Sequence, residues 1–330
     1  MSFVKKVKTA FLGMWSESGK LENGRNRLFA IIDMLVAYKL YGASPRNYVV
    51  FGFEKLEKKK RATFFTYKMN QDLMRSLNSP EKSLRLLDKY YFCLDFHDLL
   101  GREFAGGGDL TPKGFDSFAE KHNRFLVKPR REAQGRGVVY FDKNESLHNL
   151  NELREKVLDS PDEYILEEAI EQHPDITSNF GAGLLPVRVV SKKTKGKVSI
   201  VMCAVTLGTG GNVVNYHTGG VMAIIDGNTG EVIAPALDKK DRFLYKHPLT
   251  QKNILGYQFP NWHSVLELVG SAAMRAQGVG FIGWDIGITK DGAVLIEGNN
   301  DPGTYSMLQH TKVQDFLGRL GIRDQVEKCS

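Results

Sequence analysis

Residues 283–303 read Gly283-Trp284-Asp285-Ile286-Gly287-Ile288-Thr289-Lys290-Asp291-Gly292-Ala293-Val294-Leu295-Ile296-Glu297-Gly298-Asn299-Asn300-Asp301-Pro302-Gly303. Two short apolar runs flank Lys290-Asp291-Gly292, which predicts a β-hairpin with a three-residue loop and Gly292 in the left-handed position at its end. That register sets Thr289 opposite Ala293 and Asp285 opposite Glu297. Opposed residues share a side of an antiparallel pair, as do residues two apart on one strand. Asp285, Glu297 and Asn299 therefore share one face, and Trp284, Ile286, Ile288, Val294 and Ile296 share an apolar face that would be core. A two-residue or four-residue loop would undo this sorting by turning one strand over.

Two carboxylates and an amide oxygen on one face form an oxygen-only set. Such a set suits a hard divalent cation, Mg²⁺ above all when phosphates complete its shell. The alternative is an ordinary hairpin with two surface acids and a turn asparagine. Asn299-Asn300-Asp301-Pro302-Gly303 is turn chemistry on either reading.

The chain has 330 residues, room for two or three domains and a sizeable core, and 42% apolar with 25% charged residues is an ordinary soluble composition. The longest apolar window, Leu28 to Tyr38, contains Asp33 and is too short for a bilayer, so no membrane span is expected. The start has basic residues but only a brief apolar run at Ala10-Phe11-Leu12, a poor signal peptide. The three cysteines, Cys93, Cys203 and Cys329, lie far apart without zinc or disulfide spacing. These features point to the cytoplasm. A formal charge of +7 favours anionic ligands without choosing among them. Its local runs, such as Lys58-Lys59-Lys60-Arg61, are the kind that usually form solvated faces.

Residues 1–80 read as a mainly helical region. Leu28, Ile31, Ile32, Leu35 and Tyr38 form a helical stripe within Arg27 to Tyr41, and a second helix is expected over Asn70 to Leu77. A decoy phosphate loop, Gly13 to Gly19-Lys20, fails because five residues separate its glycines and Leu21 follows the lysine. From Glu81 the texture changes. A helix from Glu81 to about Cys93 contains Lys89, and Ala105-Gly106-Gly107-Gly108 reads as a loose loop. Strands at Arg124 to Pro129 and Val138 to Phe141 enclose a basic loop with Gln134, Gly135 and Gly137. Such a loop folds over phosphates with N–H groups and cations pointing inward, or is simply an exposed turn. Tyr164-Ile165-Leu166 is a strand ending in Glu167-Glu168, and a strand at Leu185 to Val190 carries Arg188. Val198 to Leu207 is a further strand, Gly208 to Asn212 a loop, Trp262 to Gln277 an amphipathic helix, and Lys312 to Leu320 a closing helix. His247 before Pro248 reads as structural, and no nucleophile–base pair follows from spacing.

The order of these pieces resembles the ATP-grasp superfamily. More narrowly, Glu167-Glu168-Ala169-Ile170-Glu171-Gln172-His173-Pro174, Gly219-Gly220, His247-Pro248-Leu249-Thr250, Gly283-Trp284-Asp285-Ile286 and Leu295-Ile296-Glu297-Gly298-Asn299 are similar to the sugar-transfer-associated ATP-grasp group, related to alpha-L-glutamate ligases. The likeness runs from about Tyr48 to Gln309. It implies an α+β, ATP-grasp fold in which two α+β subdomains grip a nucleotide behind the helical N-terminal region, with a lid subdomain over 81–168 and a metal-bearing subdomain over 169–330. By motif match it implies that Lys128 and Lys89 contact phosphates, and that Gln134, Gly135 and Gly137 form the lid. It further implies that Glu167 and Glu168, with Asp175, meet adenine and ribose. Asp285, Glu297 and Asn299 would hold one or two Mg²⁺ ions, and Arg188 would stabilise the transferred phosphate. The lid arginines Arg130, Arg131 and Arg136, and the extension Asn300-Asp301, depart from the family pattern.

The activity so implied is an ATP- and Mg²⁺-dependent carboxylate–amine ligase. It would work through an acylphosphate, release ADP and phosphate, and join an amino acid or amine to a sugar acid or other small-molecule carboxylate, as in cell-surface polysaccharide or specialised metabolite biosynthesis. Two alternatives stay open. One is a phosphotransferase acting on a hydroxyl. The other is a non-catalytic protein binding an anionic polymer; nucleic acid is disfavoured because the aromatic residues do not interleave with the basic runs. Oligomeric state is not legible.

Overall fold

The computed structural model describes residues 3–21, 26–132, 135–144, 149–208, 219–238, 240 and 242–302. They fall into two compact units, one running up to Leu77 and the other covering Asn78–Pro302. Gln134 and the expected helix at Lys312 to Leu320 lie outside the described residues.

The first unit is helical: α1 (Phe3–Ser18), α2 (Arg27–Tyr41), α3 (Pro45–Val50), α4 (Lys58–Arg61) and α5 (Tyr67–Leu77). Asn26 caps α2 by accepting from the Leu28 amide, and Gly42, at φ +69°, ends it in the left-handed conformation. Ser44 and Asn47 form a reciprocal capping box for α3, with Pro45 at its first position. The core gathers Met14, Ile31, Met34, Tyr48, Phe51 and Phe53. The apolar stripe expected on α2 is mostly not its buried face. Of Leu28, Ile31, Ile32, Leu35 and Tyr38, only Ile31 is buried, and the packed side is Ala30, Ile31, Met34 and Ala37. α2 has so few polar residues that periodicity cannot single out one face.

The second unit holds two antiparallel sheets. After α6 (Pro80–Leu87) and α7 (Lys89–Asp95) come β1 (Phe104–Gly106), α8 (Pro112–Lys121), β2 (Arg124–Pro129), β3 (Val139–Asp142), α9 (Leu150–Asp159) and β4 (Tyr164–Glu168). These strands make a four-stranded sheet in the order β1-β4-β2-β3. Phe125, Val127 and Leu166 pack from one of its faces with Phe115 and Phe118 of α8 and Leu153 and Val157 of α9. Then follow α10 (Pro174–Phe180), β5 (Val187–Thr194), β6 (Lys197–Leu207), β7 (Val221–Ile225), β8 (Ala236–Leu237), β9 (Phe243–Leu244), α11 (Trp262–Arg275), β10 (Phe281–Thr289) and β11 (Gly292–Asn299). They form a seven-stranded sheet ordered β11-β10-β5-β6-β7-β8-β9. α11 supplies Trp262, Val265, Val269 and Ala272 to its core, and Trp284 is fully buried there.

Three local expectations are corrected. The helix over Glu81 to Cys93 is two helices hinged at Asp88, which is extended (φ −80°, ψ 111°), closes α6 and caps α7 by accepting from the Tyr90 amide. Arg130 holds the hinge, binding both Asp88 carboxylate oxygens at 3.0 Å. The stretch Ala105-Gly106-Gly107-Gly108 is not a loose loop: Ala105 and Gly106 lie in β1, paired to Leu166 and Ile165. Glycine is required at 106 because a Cβ there would sit 2.6 Å from the Tyr90 ring.

The third concerns the hairpin. Thr289 pairs with Gly292, so the loop is Lys290-Asp291, two residues and not three. A register shift after Asp285 leaves Ile296 unpaired as a bulge, and Asp285 still faces Glu297. Gly292 does adopt a positive φ, +137°. The shorter loop turns over the distal half of β11. Leu295, opposite Ile286, therefore lies on the core face, while Val294 lies opposite Gly287 on the acidic side.

Candidate functional site

Asp285, Glu297 and Asn299 share a face because β10 and β11 pair Asp285 with Glu297 and Gly283 with Asn299. Asn299 Nδ2 donates to Glu297 Oε1 at 3.1 Å and to Asp285 Oδ2 at 3.5 Å. On the other flank of β10, Arg188 of β5 lies directly opposite Asp285. Its Nε and Nη2 bind the two oxygens of that carboxylate, the latter at 2.9 Å, and Nη1 donates to Pro302 O at 3.1 Å.

The electrostatics follow from crowding. Burial pushes the Asp285 carboxyl up to about 7; Arg188 pulls it down, and Glu297 alongside adds to the rise. Burial also works against ionisation of Glu297, but hydrogen bonds from Asp285 and Asn299, with Arg188 and Lys89 nearby, hold it below the ordinary range. The two carboxyls titrate as a coupled pair, and their crowding favours a proton shared between them.

A second cluster forms on the other face of the small sheet. Glu167 of β4 is opposed to Leu126 of β2, which puts it on the same side as Lys128. Lys128 Nζ donates to Glu167 Oε2 at 2.9 Å, and Arg102 Nε donates to the same oxygen at 2.7 Å. Glu167 is 2% exposed. Burial opposes its charge, but the two cations outweigh it and bring the carboxyl down to about 2. Arg102 also reaches the edge strand of the large sheet, donating from Nη1 to Leu295 O at 2.6 Å and from Nη2 to Ile296 O at 3.3 Å. Adjacent carbonyls of a regular strand point to opposite edges, so one guanidinium reaches both only because Ile296 is bulged.

Lys89, the first residue of α7, lies between the two clusters. Burial lowers its ammonium from the ordinary value against the attraction of Glu297, and Lys128 lowers it further while Glu167 opposes. Its Nζ donates to Glu132 O, at the start of the basic loop. In that loop Gly135 and Gly137 are left-handed, at φ +72° and +71°. A Cβ on Gly137 would meet Pro129 at 2.9 Å.

Of the residues expected in the site, Asp285, Glu297, Asn299 and Arg188 meet directly, and Lys89, Lys128 and Glu167 form an adjoining charge network. Glu168 faces away from Glu167: its carboxylate accepts from the Glu103 amide at 3.1 Å and lies 3.8 Å from His122 Nδ1. Asp175 sits in the first turn of α10, where the Tyr257 hydroxyl donates to it at 2.6 Å. The lid arginines differ among themselves. Arg130 is buried against Asp88, Arg131 Nε reaches the same carboxylate at 3.3 Å, and Arg136 lies 3.5 Å from Glu132. Sequence reasoning missed Arg102 and Asp88. Arg102 is a lone cation after Gly101, and no spacing marks it; Asp88, directly before Lys89, carried the cap signal inside an unbroken helical pattern.

His247 is fully buried. Its Nε2 lies 2.6 Å from Gly208 O, its Nδ1 accepts from the Thr250 amide at 3.3 Å, and burial lowers its pKa. This is a structural, neutral imidazole.

Asp285 and Glu297 offer hard oxygens, their mutual contact marks unbalanced negative charge, and Asn299 can turn its oxygen toward them by an amide flip. These three residues fit Mg²⁺ completed by phosphate oxygens. Among the described residues, no group of three or more acidic, His or Cys side chains makes a metal site unaided.

An edge hairpin presenting Asp, Glu and Asn, next to a smaller sheet with a lysine and a glycine loop, is the layout of an ATP-grasp protein. The family model described as sugar-transfer associated ATP-grasp matches residues 68–313, about three-quarters of the chain, and the chain belongs to that family. No curated protein sequence matches it. Among solved structures, it is similar to the ATP-grasp ligase PsnB complexed with minimal precursor, at 12% identity and TM-score 0.45, over 82% of this chain and 71% of that one. It is similar to D-alanine–D-alanine ligase from Bacillus anthracis at 13% identity and TM-score 0.43, over 82% and 75%. A D-cycloserine synthetase, DcsG, aligns at 12% identity and TM-score 0.43, over 73% and 71%.

Proposed function

We propose that this chain is an ATP- and Mg²⁺-dependent ligase that activates a substrate carboxylate as an acylphosphate and passes it to an amine, releasing ADP and phosphate. The observation that carries the reading is the Asp285–Glu297 pair on one strand face, flanked by Arg188 and with Lys89 in its field. Family membership supports nucleotide use.

Asp285, Glu297 and Asn299 would hold one or two Mg²⁺ ions, which when bound would neutralise phosphate charge on the nucleotide. This chain's own residues have three tasks. Lys128 and Lys89 neutralise phosphate oxygens, while Arg102 keeps Glu167 in place beside Lys128 and so fixes its ammonium. Arg188 is fixed by Asp285 and Pro302 O with its fork pre-set, which stabilises charge on the group in transfer without reorganisation. Gly135 and Gly137, with Gln134, close over the nucleotide and exclude water from the acylphosphate. In that step a carboxylate oxygen bonds to the γ-phosphorus as the bond to the β-phosphate oxygen breaks; the amine then displaces phosphate. No protein nucleophile is required.

Asp175 is proposed as a ribose partner, whereas Glu168, on the face of β4 opposite Lys128 and held by the Glu103 amide, is not proposed to meet the nucleotide, and the family description supports a sugar-linked acid or amine in polysaccharide or specialised metabolite assembly. Two buried cysteines, Cys93 and Cys203, are compatible with a reducing compartment, and a cytoplasmic location is part of the proposal. The test is an ADP-release screen of amino acids crossed with sugar acids, with Glu297→Gln as the inactive control. Free phosphate released in step with ADP supports the ligase. A stable phosphorylated product without free phosphate would replace it with a phosphotransferase.

A further inference from the structure

The first unit carries an apolar surface that the reaction does not use. Among the described residues, ten of the twenty exposed large apolar side chains lie on α1 and α2. Leu28, Phe29, Ile32, Leu35 and Leu40 are each 52–69% exposed. At about 100° per residue they spread with Val36 over an arc of about 140° of α2, opposite the buried side made by Ala30, Met34 and Ala37. Beside the start of α2, Phe11 and Trp15 of α1 stack at 6.2 Å, and the Arg27 guanidinium lies 5.3 Å from the Trp15 ring centre.

The unit that carries this surface is net basic. The first 77 residues hold 15 lysines and arginines against 6 acids, a formal +9, although the whole chain is only +7. The rest of the chain is therefore slightly acidic. Asp33, the one acid of α2, sits at the edge of the apolar arc and is neutralised: Arg61 binds both its oxygens at 2.8 Å and Tyr48 donates to it at 2.7 Å. That bond seats α4 beside α2 and leaves Lys58, Lys59 and Lys60 exposed along the border. Lys39 lies within the arc in the last turn, where a long aliphatic stem lets its ammonium reach out of an apolar layer.

We propose that α2, with the Phe11–Trp15 pair and the α4 lysines, docks the protein on an anionic lipid surface. At 15 residues α2 is about 22 Å long, short of the ~30 Å hydrocarbon core, so it lies in the interface and does not span it. No described helix is long and apolar enough to cross a membrane. An apolar arc, aromatic side chains at its end and a cationic border are what an interfacial helix needs: burial of apolar area plus attraction to anionic headgroups.

The test is flotation of the full-length protein with vesicles of phosphatidylcholine, with and without phosphatidylglycerol. Trp262 and Trp284 are 6% and 0% exposed, whereas Trp15 is 42% exposed, so a blue shift of tryptophan fluorescence on binding reports Trp15. Binding should require phosphatidylglycerol and fall as salt rises. Lys58→Glu/Lys59→Glu/Lys60→Glu should weaken it by at least about tenfold. Phe29→Glu/Ile32→Glu should abolish it with helix content unchanged; if that variant misfolds, Phe29→Ser serves. Equal binding to neutral vesicles, or no binding by a monomeric protein, overturns the proposal. So does a mass in solution that doubles with concentration through α2, because a second copy would then be its occupant.

Discussion

Arg188 and Asp285 face each other across β5 and β10, and the guanidinium spans both oxygens of a carboxylate that also touches Glu297. One cation thus serves two buried acids. Arg188→Ala should leave the pair with more charge than it can hold. We expect a loss of about 3 kcal/mol in urea-denaturation stability, as for breaking a largely buried ion pair. ATP-dependent turnover should fall by about a hundredfold or more, as for loss of a preorganised charge donor. Arg188→Lys should recover part of the stability but little turnover, because an ammonium cannot bridge both oxygens.

Glu297→Gln keeps the shape of the side chain and removes one of the two touching carboxylates. The protein should fold with stability within about 1 kcal/mol of the parent, because a glutamine oxygen can still accept from Asn299 Nδ2. Mg²⁺-dependent ADP release should be lost. Unchanged circular dichroism together with full activity would remove Glu297 from the site.

The pH dependence has a definite sign. Asp285 is raised from 3.8 to about 7, so the folded state holds a proton that the unfolded chain releases earlier. Its contribution to stability is fully present below pH 3.8 and is lost as pH rises through about 7. Metal binding runs the other way, because both carboxylates must be ionised. Mg²⁺ affinity should therefore increase through pH 7 with proton release. Titration calorimetry in two buffers of different ionisation enthalpy reads that proton directly.

Glu167 has the opposite linkage. Its carboxyl is lowered from 4.5 to about 2 by Arg102 and Lys128 against burial. The stability it contributes is present above pH 4.5 and is lost as pH falls toward 2. A shift of that size on a fully buried group is worth on the order of 3 kcal/mol. Acid unfolding should move to higher pH in Arg102→Met, which also strands the Leu295 and Ile296 carbonyls. Lys128→Met should cost less stability and more nucleotide affinity, measured by equilibrium binding of ADP.

Gly106→Ala probes how α7 is positioned. Its φ is −169°, which any residue adopts, so the cost is one of space: the added Cβ meets the Tyr90 ring at 2.6 Å and Ile165 at 3.1 Å. About 1–3 kcal/mol of destabilisation is expected from such overpacking. ADP affinity should weaken as well, because Tyr90 adjoins Lys89; an unchanged thermal midpoint would show that the ring simply turns aside.

The hairpin shows how much of the site was legible. Period-two alternation and the acid–acid spacing were enough to place Asp285, Glu297 and Asn299 together, though by the wrong route. A three-residue loop in a regular ladder and a two-residue loop with one bulge give the same register at Glu297. They differ only between the two, where Leu295 replaces Val294 on the core face. Nothing local in Val294-Leu295-Ile296 distinguishes them, since all three are apolar and suit a strand. The bounds of α2 were readable, expected at Arg27 to Tyr41 and found there. The break at Asp88 was not, because the bonds from Arg130 that hold it come from 42 residues away.

The sequence by itself determined the acidic face of the last hairpin, the cationic strand of the small sheet and the family, because periodicity, turn residues and side-chain chemistry are properties of neighbouring residues. The tertiary structure alone decided that Glu167 is a buried ion-pair centre turned away from Glu168. It alone decided that Arg102 joins the two sheets through a bulge, that Arg130 is a hinge clamp, and that α2 shows most of its apolar side to the outside. Each depends on which charges and surfaces meet after the chain has folded, and a buried charge is tolerated only where a partner from a distant segment arrives to balance it.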